Sequence, residues 1–152
     1  MNSKIIEKIK CDDILSKIIA SFDNNIYLVG GTVRDFYLGN DSVDRDIIVM
    51  DEDARKFALK LAEFFNAAFV PLDEENKIYR LVMRDKINYI DITNPIENSL
   101  EKDLMRRDLT INAIAVNITI DASLPTIICP YGIQPFSRAL LKAYVSSAVA
   151  SF

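Results

Sequence analysis

The 152-residue chain contains no histidine. That removes a zinc centre built on imidazole and any catalytic triad with a histidine base. Its two cysteines, Cys11 and Cys129, show no Cys-x-x-Cys spacing, so neither a thiolate metal centre nor a disulfide framework is indicated. No stretch approaches the ~20 consecutive apolar residues of a membrane span. The opening, Met1-Asn-Ser-Lys-Ile-Ile-Glu-Lys8, mixes acid and base in a helical pattern and lacks the apolar centre of a secretory signal. Internal repeats and low-complexity tracts are missing too. Basic charge is scarce: 18 Lys and Arg stand against 22 Asp and Glu, a net charge of −4. This argues against a surface that coats nucleic acid at large. What remains is an ordinary globular composition, 50% hydrophobic and 26% charged, which suits one domain able to bury roughly two thirds of its unfolded surface. The cytoplasm is the expected compartment, and no membrane contact is expected.

The chain is organised around Leu28-Val-Gly-Gly-Thr-Val-Arg-Asp-Phe-Tyr-Leu-Gly39 and the nearby Asp44-Arg-Asp46. Ile26 to Val29 reads as a buried strand that stops at Gly30-Gly31, and Thr32 is expected to cap a helix carrying Val33 to Leu38. Glycines at a strand-to-helix turn let the backbone approach a phosphate, and the helix terminus favours an anion. In Val43 to Met50 the strand period places Asp44 and Asp46 on one face, with Ile47 and Val49 on the other. Two carboxylates about 7 Å apart along a strand can share divalent cations, and Mg²⁺ takes a few carboxylates plus substrate phosphates. Alone, Gly-Gly is a turn and Asp-x-Asp a solvated strand end. With twelve residues between Gly31 and Asp44 and a strand-like apolar tail after Asp46, they point together to nucleotidyl transfer.

The remaining chain fills in an α/β pattern. Residues 4–21 form an amphipathic helix that Asp12-Asp13 can break in two. Residues 52–66 form a second helix, with Phe57, Leu61, Phe64 and Phe65 as its buried face. Residues 67–71 read as a strand, and 77–83 with 86–93 as a hairpin around Arg84-Asp85. In the second arm Tyr89, Asp91 and Thr93 share a face. An Asp in so apolar a strand needs a partner. Two readings stand side by side: Asp91 is a third carboxylate on the cation of Asp44 and Asp46, or it is an edge residue or an ion pair to Arg106 or Arg107. After Asn94-Pro95 a short polar helix runs to Leu104. It leads into Arg106-Arg-Asp-Leu-Thr-Ile-Asn-Ala-Ile-Ala115, where Asp108 is expected to cap a helix from Leu109. Paired arginines make charge-assisted phosphate contacts, and Asn112 suits a ribose hydroxyl or a phosphate oxygen. A strand ending at 118–120, another at 124–129 and a helix over 136–152 complete the expectation.

These two blocks resemble the nucleotidyltransferases related to DNA polymerase β, and within them the bacterial-type (class II) tRNA nucleotidyltransferase and poly(A) polymerase group. The first block is similar to that group's Gly-Gly-x-Val-Arg-Asp-x-Leu-Leu-Gly followed by Asp-x-Asp, with Tyr37 replacing the first leucine. The second, about sixty residues on, is similar to Arg-Arg-Asp-Phe-Thr-Ile-Asn-Ala, with Leu109 replacing Phe. Pro130-Tyr-Gly-Ile133 resembles a Pro-Tyr/Phe-Gly-Gly turn. The resemblance covers residues 26–135. It implies a head domain with a mixed, mainly antiparallel sheet and helices covering one face. It places residues 1–25 as a helix packed on that head and 136–152 as the start of a C-terminal helix, with neck, body and tail beyond the present sequence.

The implied activity is transfer of a nucleoside monophosphate from CTP or ATP to an RNA 3′-hydroxyl, as in tRNA CCA or A addition, using two Mg²⁺ ions on Asp44, Asp46 and Asp91. By the same resemblance Gly30, Gly31 and Arg34 hold the triphosphate, Asp35 orients Arg34 or a ribose hydroxyl, and Arg106 and Arg107 offset transition-state charge. Alternatives are a poly(A) polymerase head, a small transferase acting on a protein or an antibiotic, or a nucleotide-binding head without activity of its own. The block around Arg106 argues against the protein- or antibiotic-directed reading.

Overall fold

In the computed structural model, residues 2–107, 112–119, 127–128 and 130 are described. The expected helix over 136–152, most of the turn Pro130 to Ile133 and the first residues of the expected helix from Leu109 lie outside them. Asn112, placed one turn into that helix, is described, but no α-helix forms there and a strand begins at Ala115. Two short helices, α1 (Asn2–Cys11) and α2 (Asp13–Ser21), open the chain. They are separate because Asp12 is extended and its carboxylate accepts the Leu15 N–H at 2.9 Å, capping α2. Then follow β1 (Ile26–Val29), α3 (Gly31–Tyr37), β2 (Asp44–Val49) and α4 (Ala54–Phe65). Asp53 caps α4, and Asn66 ends it in the left-handed conformation. Strands β3 (Ala68–Asp73), β4 (Ile78–Val82) and β5 (Tyr89–Thr93) come next. They precede α5 (Leu100–Met105), β6 (Ala115–Asn117) and β7 (Ile127–Ile128).

The seven strands form one sheet in the order β3-β4-β5-β2-β1-β6-β7. Every neighbouring pair is antiparallel except β2 and β5. Between those two, α4 and the β3–β4 hairpin carry the chain back to the same end, the crossover that a parallel pair requires. Register aligns one residue per strand across the whole sheet: Val70, Arg80, Asp91, Asp46, Val29, Ala115 and Ile128. Two acids and an arginine therefore stand in adjacent places on one face.

The other face is the main core. Ile5, Ile9, Leu15 and Ile18 from the N-terminal helices, Phe36 from α3, and Phe57 and Leu61 from α4 meet Ile47, Val49, Leu81, Ile90 and Ile92 there. Phe64 is not on that face as expected. It is 47% exposed and packs edge-on against Phe22 and Phe65. A smaller cluster, Val29, Ile48, Leu100, Leu104, Ala113 and Ala115, lies on the acidic face. So α5 covers part of the sheet side opposite the other helices. Arg45, between the two aspartates, points into the main core at 5% exposure. It forks onto Asp12 at 2.7 Å and donates to Asn88 at 3.0 Å. That buried pair fixes β2 to the start of α2 and leaves its neighbours Asp44 and Asp46 facing the other way.

Candidate active site

The turn after β1 carries the first part of the site. Gly30 has φ 73° and ψ −141°, a conformation that L side chains rarely adopt. It holds the cap position of α3 without a side-chain cap. Thr32 does not cap the helix, contrary to the sequence expectation: it lies inside α3, and its hydroxyl donates to the Asp44 carbonyl at 2.5 Å. The Ser42 hydroxyl donates to the same oxygen at 2.7 Å. Thus the turn and the loop before β2 both anchor the backbone of the first aspartate.

Side chains lie close to the two glycines. A Cβ on Gly30 would stand 3.2 Å from Arg107 Nη1 and 3.3 Å from Asp46 Oδ2. A Cβ on Gly31 would stand 3.2 Å from Arg34 Nη2. Arg34 is oriented from two sides, donating from Nε to Asp35 Oδ1 at 3.1 Å and from Nη1 to Asn112 Oδ1 at 3.0 Å. Residues 78 apart in sequence thereby meet, and Asp35 serves Arg34.

Asp44, Asp46 and Asp91 converge. One oxygen of each lies within 4.8 Å of the others, close enough to hold a metal ion. Burial raises the Asp46 carboxyl to about 6, with repulsion from Asp44 and Asp91 adding to it and Arg107 and Arg80 opposing it. Asp44 is raised as well, first by burial and then by Asp91. Its Oδ1 is buried without a hydrogen-bond partner among the described residues. Three half-buried carboxylates offering only oxygen, two of them with raised pKa values, suit a hard divalent cation. The residues present therefore fit a metal.

Asp91 also has a protein partner, but not the expected one. Arg80, opposite it on β4, forks both oxygens at 2.7 Å, and its guanidinium lies 4.3 Å from the Tyr89 ring centre. An ion pair and a place among the three carboxylates are both present. The hairpin held the signal. A turn centred on Asp85-Lys86 pairs positions 82 with 89 and 80 with 91, so a register count finds Arg80.

The second arginine block is divided. Arg106 ends α5 with its side chain 54% exposed, whereas Arg107 is 21% exposed and reaches the turn at Gly30. Both donate to Asp103, a buried carboxylate at 1% exposure that sequence reasoning missed. Its spacing of three and four residues from the arginines was the available cue. Asp108 lies outside the described residues. A cavity of about 330 Å³ opens elsewhere, lined by Lys4, Glu7, Lys8, Cys11 and Gly39, and takes in none of the expected site residues.

Comparison with known proteins follows the same outline. A family model for the Poly A polymerase head domain matches residues 26–128. The CC-adding tRNA nucleotidyltransferase of Thermus thermophilus is 38% identical over 86 residues, 57% of this chain and 19% of that protein. The Multifunctional CCA protein of Neisseria meningitidis is 37% identical over 131 residues, 82% of this chain and 30% of that one. Among solved structures, a CCA-adding enzyme in complex with CTP superposes with a TM-score of 0.72 at 26% identity, covering 93% of this chain and 35% of the other. The Thermotoga maritima CCA-adding enzyme complexed with tRNA gives 0.70 at 28% identity, covering 84% and 32%. The chain thus spans about a fifth to a third of the length of these relatives. With two thirds of its residues inside the matched span, the chain belongs to the Poly A polymerase head domain family.

Proposed function

We propose that this chain is the catalytic head of an RNA nucleotidyltransferase, moving a nucleoside monophosphate from CTP or ATP onto the 3′-hydroxyl of an RNA, with tRNA as the favoured acceptor. One observation carries the reading. Three carboxylates from β2 and β5 meet beside a glycine turn that Arg107 and Arg34 flank. Metal carboxylates and phosphate ligands adjoin, as transfer from a triphosphate demands. Relatives named for CC and CCA addition support the choice of tRNA over other acceptors. The cytoplasm is the proposed compartment. No described helix is long and apolar enough to cross a membrane.

Asp44, Asp46 and Asp91 would hold magnesium, two ions in the full complex. Bound there, the metal supplies Lewis acidity that makes a hydroxyl acidic and neutralises phosphate oxygens. The chain's own groups do the rest. Gly30 and Gly31 let the triphosphate approach the backbone without meeting a Cβ. Arg34, held in plane by Asp35 and Asn112, meets phosphate oxygens with donors left over from those contacts. Arg107 and the more exposed Arg106 offset the charge that builds on the leaving pyrophosphate. Arg80, forked onto both oxygens of Asp91, orients that carboxylate beside the acceptor.

The test is incubation of labelled CTP and ATP with tRNA lacking its terminal CCA, using the wild type and Asp46→Asn. Mg²⁺-dependent addition that the substitution abolishes is expected. Addition that survives Asp46→Asn, or a wild type that binds no triphosphate with Mg²⁺, refutes the reading.

A further inference from the structure

We propose that Asp103 is a positioning residue for triphosphate binding: from inside α5 it holds Arg107 against the Gly30 turn. The inference rests on the phosphate role given to Arg107 above. Asp103 is 1% exposed, and a carboxylate so buried requires partners. It has three. Oδ1 accepts from the Ile96 N–H at 3.2 Å and from Arg106 Nη2 at 3.2 Å, and Oδ2 accepts from Arg107 Nη2 at 3.4 Å. Ile96 follows directly on the segment that leaves β5, the strand of Asp91. One carboxylate therefore ties the chain just beyond a metal-site residue to both arginines.

The two arginines differ in what this anchor leaves them. Arg106 extends into solvent. Arg107 is mostly buried, with Nη1 beside Gly30 and Nε buried without a hydrogen-bond partner among the described residues. A guanidinium carries five donors in a rigid plane. Fixing Nη2 restricts the orientation of that plane, and an unsatisfied buried donor costs energy until an acceptor arrives. The 3.4 Å contact is long, so Asp103 steers Arg107 without satisfying it. An arriving phosphate oxygen supplies the missing acceptor, and the turn at Gly30 is the point Nη1 already faces.

Magnesium tripolyphosphate, titrated by calorimetry at fixed excess Mg²⁺, reads the phosphate site without a base or sugar. Arg107→Ala weakens it by roughly ten- to a hundredfold. Asp103→Asn keeps both arginine charges and removes a competing anion, so electrostatics alone makes binding tighter. Positioning makes it weaker, by about tenfold. Asp103→Glu keeps the charge and shifts the carboxylate. It weakens binding as well and decides the matter if the Asn variant fails to fold, as melting curves reveal. In an Arg107→Ala background, Asp103→Asn adds almost nothing, because it acts through Arg107. Unchanged or tighter tripolyphosphate binding in the folded Asp103 variants overturns the inference, as does a full additional loss in the Arg107→Ala background. An unaffected Arg107→Ala overturns the phosphate role itself, a different failure from the first.

Discussion

Three glycines separate backbone strain from crowding of the site. Gly30 has φ 73° and ψ −141°, and its missing Cβ would lie 3.2 Å from Arg107 Nη1 and 3.3 Å from Asp46 Oδ2. Gly39 has φ +84° but nothing within 4 Å of where a Cβ would stand. Gly31 is helical, and its Cβ would meet the end of the flexible Arg34 side chain at 3.2 Å. Substitution by alanine therefore has three different consequences. Gly39→Ala costs about 1–2 kcal/mol of left-handed strain and leaves the site alone. Gly31→Ala gains helix propensity, up to about 1 kcal/mol, but pushes the Arg34 guanidinium aside. Gly30→Ala costs about 1–3 kcal/mol in a conformation nearly reserved for glycine, and it also displaces Arg107 and Asp46.

In a chain of this size each kcal/mol moves the melting midpoint by about 2–4 °C. Melting curves rank Gly31→Ala at or above the wild type, then Gly39→Ala, then Gly30→Ala. Magnesium tripolyphosphate affinity follows another order: wild type and Gly39→Ala together, then Gly31→Ala, then Gly30→Ala. The crossing of the two orders is the result that matters. Gly30→Ala with wild-type melting and binding, or Gly39→Ala losing affinity as Gly31→Ala does, contradicts the close approach at this turn.

Two further predictions concern charge. Asp46 titrates at about 6 in the fold against an ordinary 3.8, so the folded chain holds this proton more tightly than the unfolded one. Without divalent cations, its contribution to stability falls as pH rises from about 4 to 6 and is flat above; Asp46→Asn removes that slope and adds on the order of 2 kcal/mol at pH 8. Urea titrations across pH check this, and a slope of the opposite sign refutes it. The second is Arg45→Ala, which strands the Asp12 carboxylate in the core and costs about 3–5 kcal/mol. A loss under ~1 kcal/mol in urea would show that the pair contributes little.

The carboxylate cluster and the glycine turn were legible in the sequence because they are local. Glycines breaking an apolar strand and alternating acids on the next one are read within a dozen residues, and the structure sets them side by side. What escaped depends on partners distant in sequence or on competition for one position. Arg80 matters only through the hairpin register that sets it opposite Asp91. Thr32 has the chemistry of a cap, yet Gly30 already holds the cap position, leaving the threonine hydroxyl for Asp44. Phe64 falls at core spacing on α4, but the helix packs on Phe57 and Leu61 and leaves it at the rim. The break at Asp12 was foreseen from the doubled acid. That Asp12 also meets the arginine between Asp44 and Asp46 was not, since nothing near either residue announces a contact 33 positions away.

A site combining three carboxylates with four arginines risks neutralising itself, and the geometry avoids this by separating the pairs. Arg80 is committed to Asp91, Arg34 to Asp35 and Asn112, and Arg106 to Asp103. Arg107, nearest to Asp46 across the glycine turn, is drawn back by the same Asp103. Among the described residues Asp44 and Asp46 are consequently left without a bonded cation, in keeping with their raised pKa values and the unpartnered Asp44 Oδ1. Had Arg107 paired with Asp46, carboxylate and guanidinium would have satisfied each other and neither would need a ligand. Held apart, one side requires a divalent cation and the other an anion. On the function proposed above, a metal-bound triphosphate would bring both together, so that a chain of net charge −4 could still present a site for so anionic a substrate.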